Sequence, residues 1–521
     1  MVSKQSSDRG PEETPSRVLA DGKGGFGVRD LLAGLGVALV LIPQSLAYAE
    51  LAGLPAYRGL YAAAIAPIAA AFFASSPWLQ TGPVALTSLL TLGALLPLAA
   101  AGSQEFVALA GLLALVVGGV RLLVGLFRLG WVAYLLSQPV LIGFTSAAAI
   151  LIIGSQVPGA LGVDPDLDGV GKEALWALFH PGAWEPSAVV LSVGTALLMF
   201  GSRRIHPAVP GVLLASLLGL GFSVVTGYTG PKVGEVPVGV SFISASIPWS
   251  HLPSLVLPGV VIALVGFAEA ASVSLTYATK ERVPWDPDRE FVSQGVANLA
   301  SGIAGGFPVG GSFSRTSLNH LAGGRTRWSG FVAGVVVLLF LPFSYVLAPL
   351  PKAVLAAVVI SAVSKLIRLR PLVDLWKLVR LQAFIGWVAF GTTLALAPHI
   401  EDAVILSVAL AIGVHLWREL TPGHSVRHEG DALHLQLRGV LWFGSAPILE
   451  KALLKSLSET REARRVVVDL GGLGRIDVSG AFFLKQLKEN VERAGLTLEL
   501  TEVPSHSHRV LQHVMGWGPP P

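Results

Sequence analysis

Long apolar runs, separated by short polar or glycine- and proline-containing stretches, fill the chain from about residue 30 to residue 420. A helix that crosses a bilayer needs about 20 mainly apolar residues, because each advances only about 1.5 Å through the hydrocarbon. That rule predicts spans near 30–52, 57–76, 82–100, 105–125, 131–157, 187–202 and 209–228. Seven more follow near 254–279, 289–304, 312–323, 329–348, 353–366, 382–398 and 401–420, with the third and tenth too short to cross alone. After about residue 424 the period changes. Alternation in Ala432–Leu441 and the run Arg465–Leu470 predict strands, as does Leu496–Thr501, while Ala446–Leu457 and Ser479–Ala494 predict amphipathic helices. The expected fold is a polytopic α-helical membrane protein with fourteen transmembrane helices over residues 28–422, followed by a small α/β domain over 424–521.

Composition agrees with the pattern. The chain is 52% hydrophobic and only 13% charged, against about 25% charged in a typical soluble domain. Its net charge of +4 is small and calls for no nucleic-acid partner. The absence of cysteine excludes disulfides, thiol catalysis and thiolate metal sites. No cofactor or metal motif is present, and no ATP-binding motif argues for a primary pump. Met1–Gly27 is polar and lacks the short apolar core of a secretory signal, so it reads as a disordered cytoplasmic tail.

Charge placement orients the spans. With the tail inside, the loops after even-numbered spans hold fourteen Lys and Arg, from Arg121 to Arg380. The opposite loops hold four, Arg58, Lys172, Lys232 and Lys352, together with the acids Asp164, Asp166, Asp168, Glu401 and Asp402. This asymmetry predicts both termini in the cytoplasm, in a cell inner (plasma) membrane.

Gly305–Arg327, GGFPVGGSFSRTSLNHLAGGRTR, stands out against this apolar background. Irregular backbone at membrane depth survives only where protein or a water-filled cavity satisfies it. A charge there, Arg315, marks a substrate or ion path. The block also has an echo: TGPVALTSL at Thr81–Leu89 aligns with GGSFSRTSL at Gly310–Leu318 at a shift of 229, matching at Gly82/Gly311, Thr87/Thr316, Ser88/Ser317 and Leu89/Leu318. Each block opens the third span of a set of seven, over approximately 28–228 and 252–420. Seven is odd, so two sets in series have opposite topology: a 7+7 inverted repeat with paired broken helices.

The residues at this point resemble the sulfate permease family (solute carrier family 26) of anion transporters. Pro43–Tyr61, PQSLAYAELAGLPAYRGLY, resembles that family's first-helix signature, and Gly82–Leu90 and Phe307–Asn319 its third- and tenth-helix motifs. The C-terminal VVVDLGGLGRIDVSG is similar to the core of a sulfate-transporter and anti-sigma-factor-antagonist (STAS) domain. The resemblance implies a core of helices 1–4 and 8–11, a gate of helices 5–7 and 12–14, and commonly a homodimer moving small anions by an elevator-like shift. Secondary transport by proton-coupled symport is the leading reading, with sodium the other candidate cation. Nucleobase:proton symport on the same architecture and an uncoupled anion channel are the alternatives.

The candidate binding positions follow. Pro83, Val84 and Ala85 open the third span; Phe313, Ser314, Arg315 and Thr316 open the tenth. Each helix start presents unpaired N–H groups and about half a positive charge, which favour an anion. The hydroxyls of Ser314 and Thr316 either bind a ligand or bond to their own helix, and Gly305, Gly306, Gly310 and Gly311 serve backbone and packing. Gln44 and Tyr48 share a face of the first span, and the resemblance implies that they line the anion cavity. Glu50, at the end of the first span, and Glu269, in the eighth, are candidate proton or cation carriers; the alternative for Glu269 is to neutralise Arg315 when the site is empty, and the bland reading of Glu50 is an interfacial glutamate or the partner of an arginine. In the C-terminal domain, the GGLG in Leu470–Arg475 reads as a turn. Val478 stands where related anti-sigma-factor antagonists carry a phosphorylatable serine.

Overall fold

The computed structural model describes residues 26–134, 137–165, 167, 169–205, 209–234, 247–420, 423–442, 445–459 and 463–518. The expected tail up to residue 25, Asp166 and Asp168 lie outside the described residues. The chain divides into two compact units, Met1–Val408 and Ala409–Pro521.

Every expected span coincides with a helix. The first set is α1 (Val28–Leu51), α2 (Tyr57–Phe73), α3 (Ala85–Leu95), α4 (Gln104–Leu126), α5 (Gln138–Leu161), then α6 (Val170–Phe179), α7 (Pro186–Ile205) and α8 (Gly211–Thr226). The second is α9 (Leu252–Glu281), α10 (Pro287–Ile303), α11 (Phe313–Leu321), α12 (Trp328–Phe340), α13 (Lys352–Val363), then α14 (Arg370–Leu378), α15 (Arg380–Ala395) and α16 (Ile400–Leu420). Among the described residues six helices are long and apolar enough to cross a membrane, those of α1, α4, α5, α9, α12 and α16. The broken helices are short, 11 residues for α3 and 9 for α11.

Two stretches expected to be loops are helical. α6 and α14 have 10 and 9 residues, too few to register as an apolar run. In α14, Leu372 is buried while Val373, Trp376 and Leu378 stay exposed. A second correction concerns Arg121, counted above with the cytoplasmic loops. It lies inside α4 and has no solvent exposure. Four apolar residues follow it within α4, so sequence alone places it near a span's end.

Two features hold the site-bearing helices in place. The first is β1 (Gln80–Gly82), which pairs antiparallel with β2 (Gly310–Ser312) in the register Gln80–Ser312, Thr81–Gly311 and Gly82–Gly310. Three-residue strands carry no detectable alternation, so the pairing was invisible in the sequence. The second is a glycine seam between α4 and α10. A Cβ on Gly118 would stand 2.7 Å from the Leu299 amide nitrogen, and one on Gly295 would stand 2.7 Å from that of Leu122. Small residues let membrane helices approach to backbone contact, where packing takes over from the missing hydrophobic drive. Gly118→Leu is therefore expected to force the helices apart at a cost of about 1–3 kcal/mol or more. Thermal unfolding of the detergent-solubilised full-length protein, followed by tryptophan fluorescence, checks this. An unchanged midpoint would contradict the seam.

The second unit, taken by itself, carries a four-stranded sheet in the order β3-β4-β5-β6: β3 (Gly423–Glu429), β4 (Ala432–Leu441), β5 (Arg465–Ile476) and β6 (Thr497–Thr501). β3 and β4 are antiparallel; β4–β5 and β5–β6 are parallel. Leu433, Leu435, Val466, Val468 and Leu470 are buried together with Leu484 of α18 (Val478–Arg493) and Leu449 of α17 (Ala446–Glu459). β3 went unpredicted because it is a polar edge strand with almost wholly exposed side chains. The GGLG is not a turn. It continues β5 through two register shifts against β4, with Leu473 buried. Asp477 caps α18 by accepting a bond from the Gly480 amide at 2.7 Å, and Val478 and Ser479 are exposed beside it.

Candidate functional site

The β1–β2 pair brings the starts of α3 and α11 together. Ser312 caps α11, its hydroxyl accepting a long bond of 3.5 Å from the Arg315 amide. α3 begins after Val84 without a side-chain cap, so its first amides keep their donor capacity. Two helix N-termini, each with about half a positive charge, thus share one junction.

Arg315 sits at this junction with no solvent exposure. Its Nη1 donates to the Pro83 carbonyl at 2.9 Å and, more weakly, to Gln44 Oε1 at 3.4 Å. Its Nε and Nη2 are buried and have no hydrogen-bond partner among the described residues. The backbone leaves room beside them, since a Cβ added to Gly82 (φ +151°) would lie 3.4 Å from Nη2. Tyr48 and Glu269 act electrostatically on Arg315. A buried unpaired donor costs about 1–3 kcal/mol, more when charged. Two of them lie on one guanidinium at the junction of two helix N-termini, an arrangement whose chemistry suits a small anion.

The structure thus gathers Gln44, Tyr48, Pro83, Glu269 and Arg315. Val84 and Ala85 are buried at the α3 start. Phe313 and Ser314 carry exposed side chains, and the Ser314 hydroxyl lies 3.3 Å from that of Ser312. Thr316 is committed to the scaffold, because its hydroxyl donates to the Ser312 carbonyl at 2.6 Å and accepts from the Gln80 amide at 3.0 Å. Thr87, which aligns with it in the sequence echo, also bonds across to the other block, donating to the Pro308 carbonyl at 3.1 Å. Glu50 is elsewhere. Its carboxylate pairs with Lys352 Nζ at 3.3 Å and lines a cavity of about 340 Å³ with Tyr57, Gly102 and Val233. The partner of Glu50 is thus a lysine, where the sequence reading named an arginine.

Sequence reasoning missed a supporting layer on α10. Glu290, Gln294 and Asn298 are fully buried. Glu290 accepts bonds from the Ser75 and Ser76 amides, Gln294 donates to the Thr81 hydroxyl at 2.7 Å, and Asn298 brackets Val309 through both its amide and its carbonyl. The signal was present: polar residues at i, i+4 and i+8 mark one face of a helix.

A bundle of apolar helices with a buried cation between two helix N-termini defines a multi-pass membrane protein of the transporter class. Residues 28–389 match the Sulfate permease family, to which the chain belongs. Residues 424–518 match a STAS domain of the description "Mlab, STAS domain". The chain is 33% identical over 415 residues to the chloroplastic sulfate transporter 4.1 of Arabidopsis thaliana, covering 75% of this chain but 59% of that protein. It is 34% identical over 409 residues to a probable sulfate transporter of Mycobacterium tuberculosis, covering 76% of this chain and 71% of that one. In fold it is similar to the murine Solute Carrier 26 family member A9 anion transporter in the inward-facing state. That likeness has a TM-score of 0.85 at 19% identity, covering 98% of this chain and 92% of the other. The transmembrane domain of a cyanobacterium bicarbonate transporter, BicA, gives 0.63 at 24%, covering 74% and 97%.

Proposed function

We propose that this protein is a secondary active transporter of small anions, with sulfate, bicarbonate and a C4-dicarboxylate such as fumarate as candidate substrates. The observation that carries the reading is Arg315, fully buried between two helix N-termini with Nε and Nη2 unpartnered. Family membership and the names of the sulfate-transporting relatives support the same substrate class. Gln44 and Pro83 hold the guanidinium, Tyr48, Val84, Ala85, Phe313 and Ser314 complete the proposed surround, and Thr316 braces it from the scaffold. Protons are the proposed coupling ion, carried by Glu269; sodium is the alternative. Glu50 is assigned to the ion pair with Lys352 rather than to coupling.

The proposed architecture is fourteen spans in a 7+7 inverted repeat, with transport by an elevator-like movement of core against gate in a homodimer. The register of β1 and β2 supports the repeat. A shift of 229 carries Thr81 onto Gly310 and Gly82 onto Gly311, so the Thr81–Gly311 pair exchanges with Gly82–Gly310. Placement in the cell inner membrane with both termini cytoplasmic follows the excess of Lys and Arg in the proposed inner loops, and the transport domain is proposed to run over 28–422. Uptake of radiolabelled sulfate, bicarbonate and fumarate into proteoliposomes, with and without an imposed pH gradient, tests this. Saturable uptake of at least one anion is expected. Uptake of uracil with none of the anions, or current linear in field without saturation, would overturn the reading.

A further inference from the structure

Arg121 of α4 shares complete burial with Arg315, yet the site described above does not use it. Its guanidinium makes three bonds, all to backbone carbonyls: Nη1 to Val309 at 2.8 Å, Nε to Ala263 at 3.0 Å and Nη2 to Ile262 at 3.3 Å. Among the described residues no carboxylate pairs with it. Desolvating a charge is costly and is usually offset by a counter-charge. Carbonyl dipoles solvate this one but leave it uncancelled.

Its partners place that charge beside the elements that build the site. Val309 is the residue just before β2, and Asn298 holds the same peptide from α10. Ile262 and Ala263 belong to α9, about two turns before Glu269. A Cβ at Gly266 would lie 2.6 Å from Arg121 Nη2 and 2.9 Å from Thr87 Cγ2. The guanidinium, α9 and the first turn of α3 therefore meet at one point. Any Cβ at 266 would displace the guanidinium or the Thr87 methyl.

We propose that Arg121 is a positioning and charge-selecting residue of the anion site: it pins the strand that launches α11 to α9, and it makes the site prefer dianions over monoanions. The inference rests on reading the Arg315 junction as an anion site. Arg121 and Arg315 are two fully buried positive charges beside the elements that launch α3 and α11; of the acids, Glu269 acts on Arg315, and Glu290 of α10 is bonded to the Ser75 and Ser76 amides. Attraction from a fixed cation grows with the charge of the ligand, so removing Arg121 weakens a dianion more than a monoanion.

The test compares full-length wild type, Arg121→Gln and Arg121→Lys in proteoliposomes, with sulfate as dianion and nitrate as monoanion. KM comes from uptake, and competing affinity from inhibition. Wild type is expected to favour sulfate. Arg121→Gln should raise the sulfate KM at least about tenfold while changing the nitrate value less than threefold. Arg121→Lys, which keeps the charge but cannot span three carbonyls, should lower the maximal rate yet retain the sulfate preference. If Arg121→Gln does not fold, judged by its thermal midpoint and monodispersity, the retained preference of Arg121→Lys decides. A wild type that favours nitrate, a folded Arg121→Gln with unchanged selectivity, or an Arg121→Lys that loses it, overturns the proposal. A wild type that takes up and binds neither anion overturns this proposal, whereas the parent reading falls only if bicarbonate and fumarate are refused as well.

Discussion

Arg315→Ala is expected to lower anion uptake at sub-saturating concentration by at least about 100-fold, with the protein still folded. The side chain contributes two buried donors that no other residue uses and a charge that adds to two helix dipoles. Truncating one partner of a buried, hydrogen-bonded charge pair costs about 2–5 kcal/mol, and 100-fold is about 2.7 kcal/mol. The scaffold should survive, because the junction also rests on the β1–β2 ladder, on Thr316 to Gln80 and on Thr87 to Pro308. Arg315→Lys is a sharper probe. It restores the charge but not the planar fork, so partial recovery would separate field from geometry. Initial-rate uptake in proteoliposomes gives the answer, and unchanged KM and rate in Arg315→Ala would sink the site.

The second large effect concerns Glu269. Ionised, it can neutralise Arg315 when no anion is present; protonated, it leaves the guanidinium to the anion. Proton and anion binding would then favour each other, which is the reciprocity that coupling requires. Each unit of inward pH gradient is worth about 1.4 kcal/mol per proton, or about tenfold in accumulation. Wild type is expected to concentrate its substrate under such a gradient. Glu269→Gln should lose that accumulation while still exchanging internal for external anion. A gradient that drives the variant as well as the wild type, or neither of them, would remove Glu269 from the coupling. Glu50→Gln serves as the comparison. Its pairing with Lys352 leads to the expectation that gradient-driven accumulation persists.

Much of this site was legible because membrane burial makes polar residues conspicuous. Arg315 and Glu269 stand out in apolar runs, and the spacing of Gln44 and Tyr48 sets them on one face. Other residues misled for identifiable reasons. Arg121 lies five residues from the end of α4, where a snorkelling arginine has the same sequence signature as a buried one. Thr316 looked like a ligand because hydroxyl groups at a helix start can serve either ligand or scaffold. The GGLG looked like a turn because glycine weakens strands, yet here two register shifts carry β5 through it.

The sequence by itself determined the apolar helices, the change to an α/β unit after residue 424, the echo between the third and tenth spans, and the lone arginine within it. These are local properties, written in run length, period and composition. Tertiary structure alone decided which polar groups meet. The antiparallel pairing of Gln80–Gly82 with Gly310–Ser312 joins segments 230 residues apart, and three paired residues leave no periodic trace. That contact turns two broken helices into one junction, leaves Nε and Nη2 of Arg315 unpartnered, and sends Glu50 to Lys352 instead. Partner choice at a buried polar group depends on distance and competition in three dimensions, and a linear pattern carries neither.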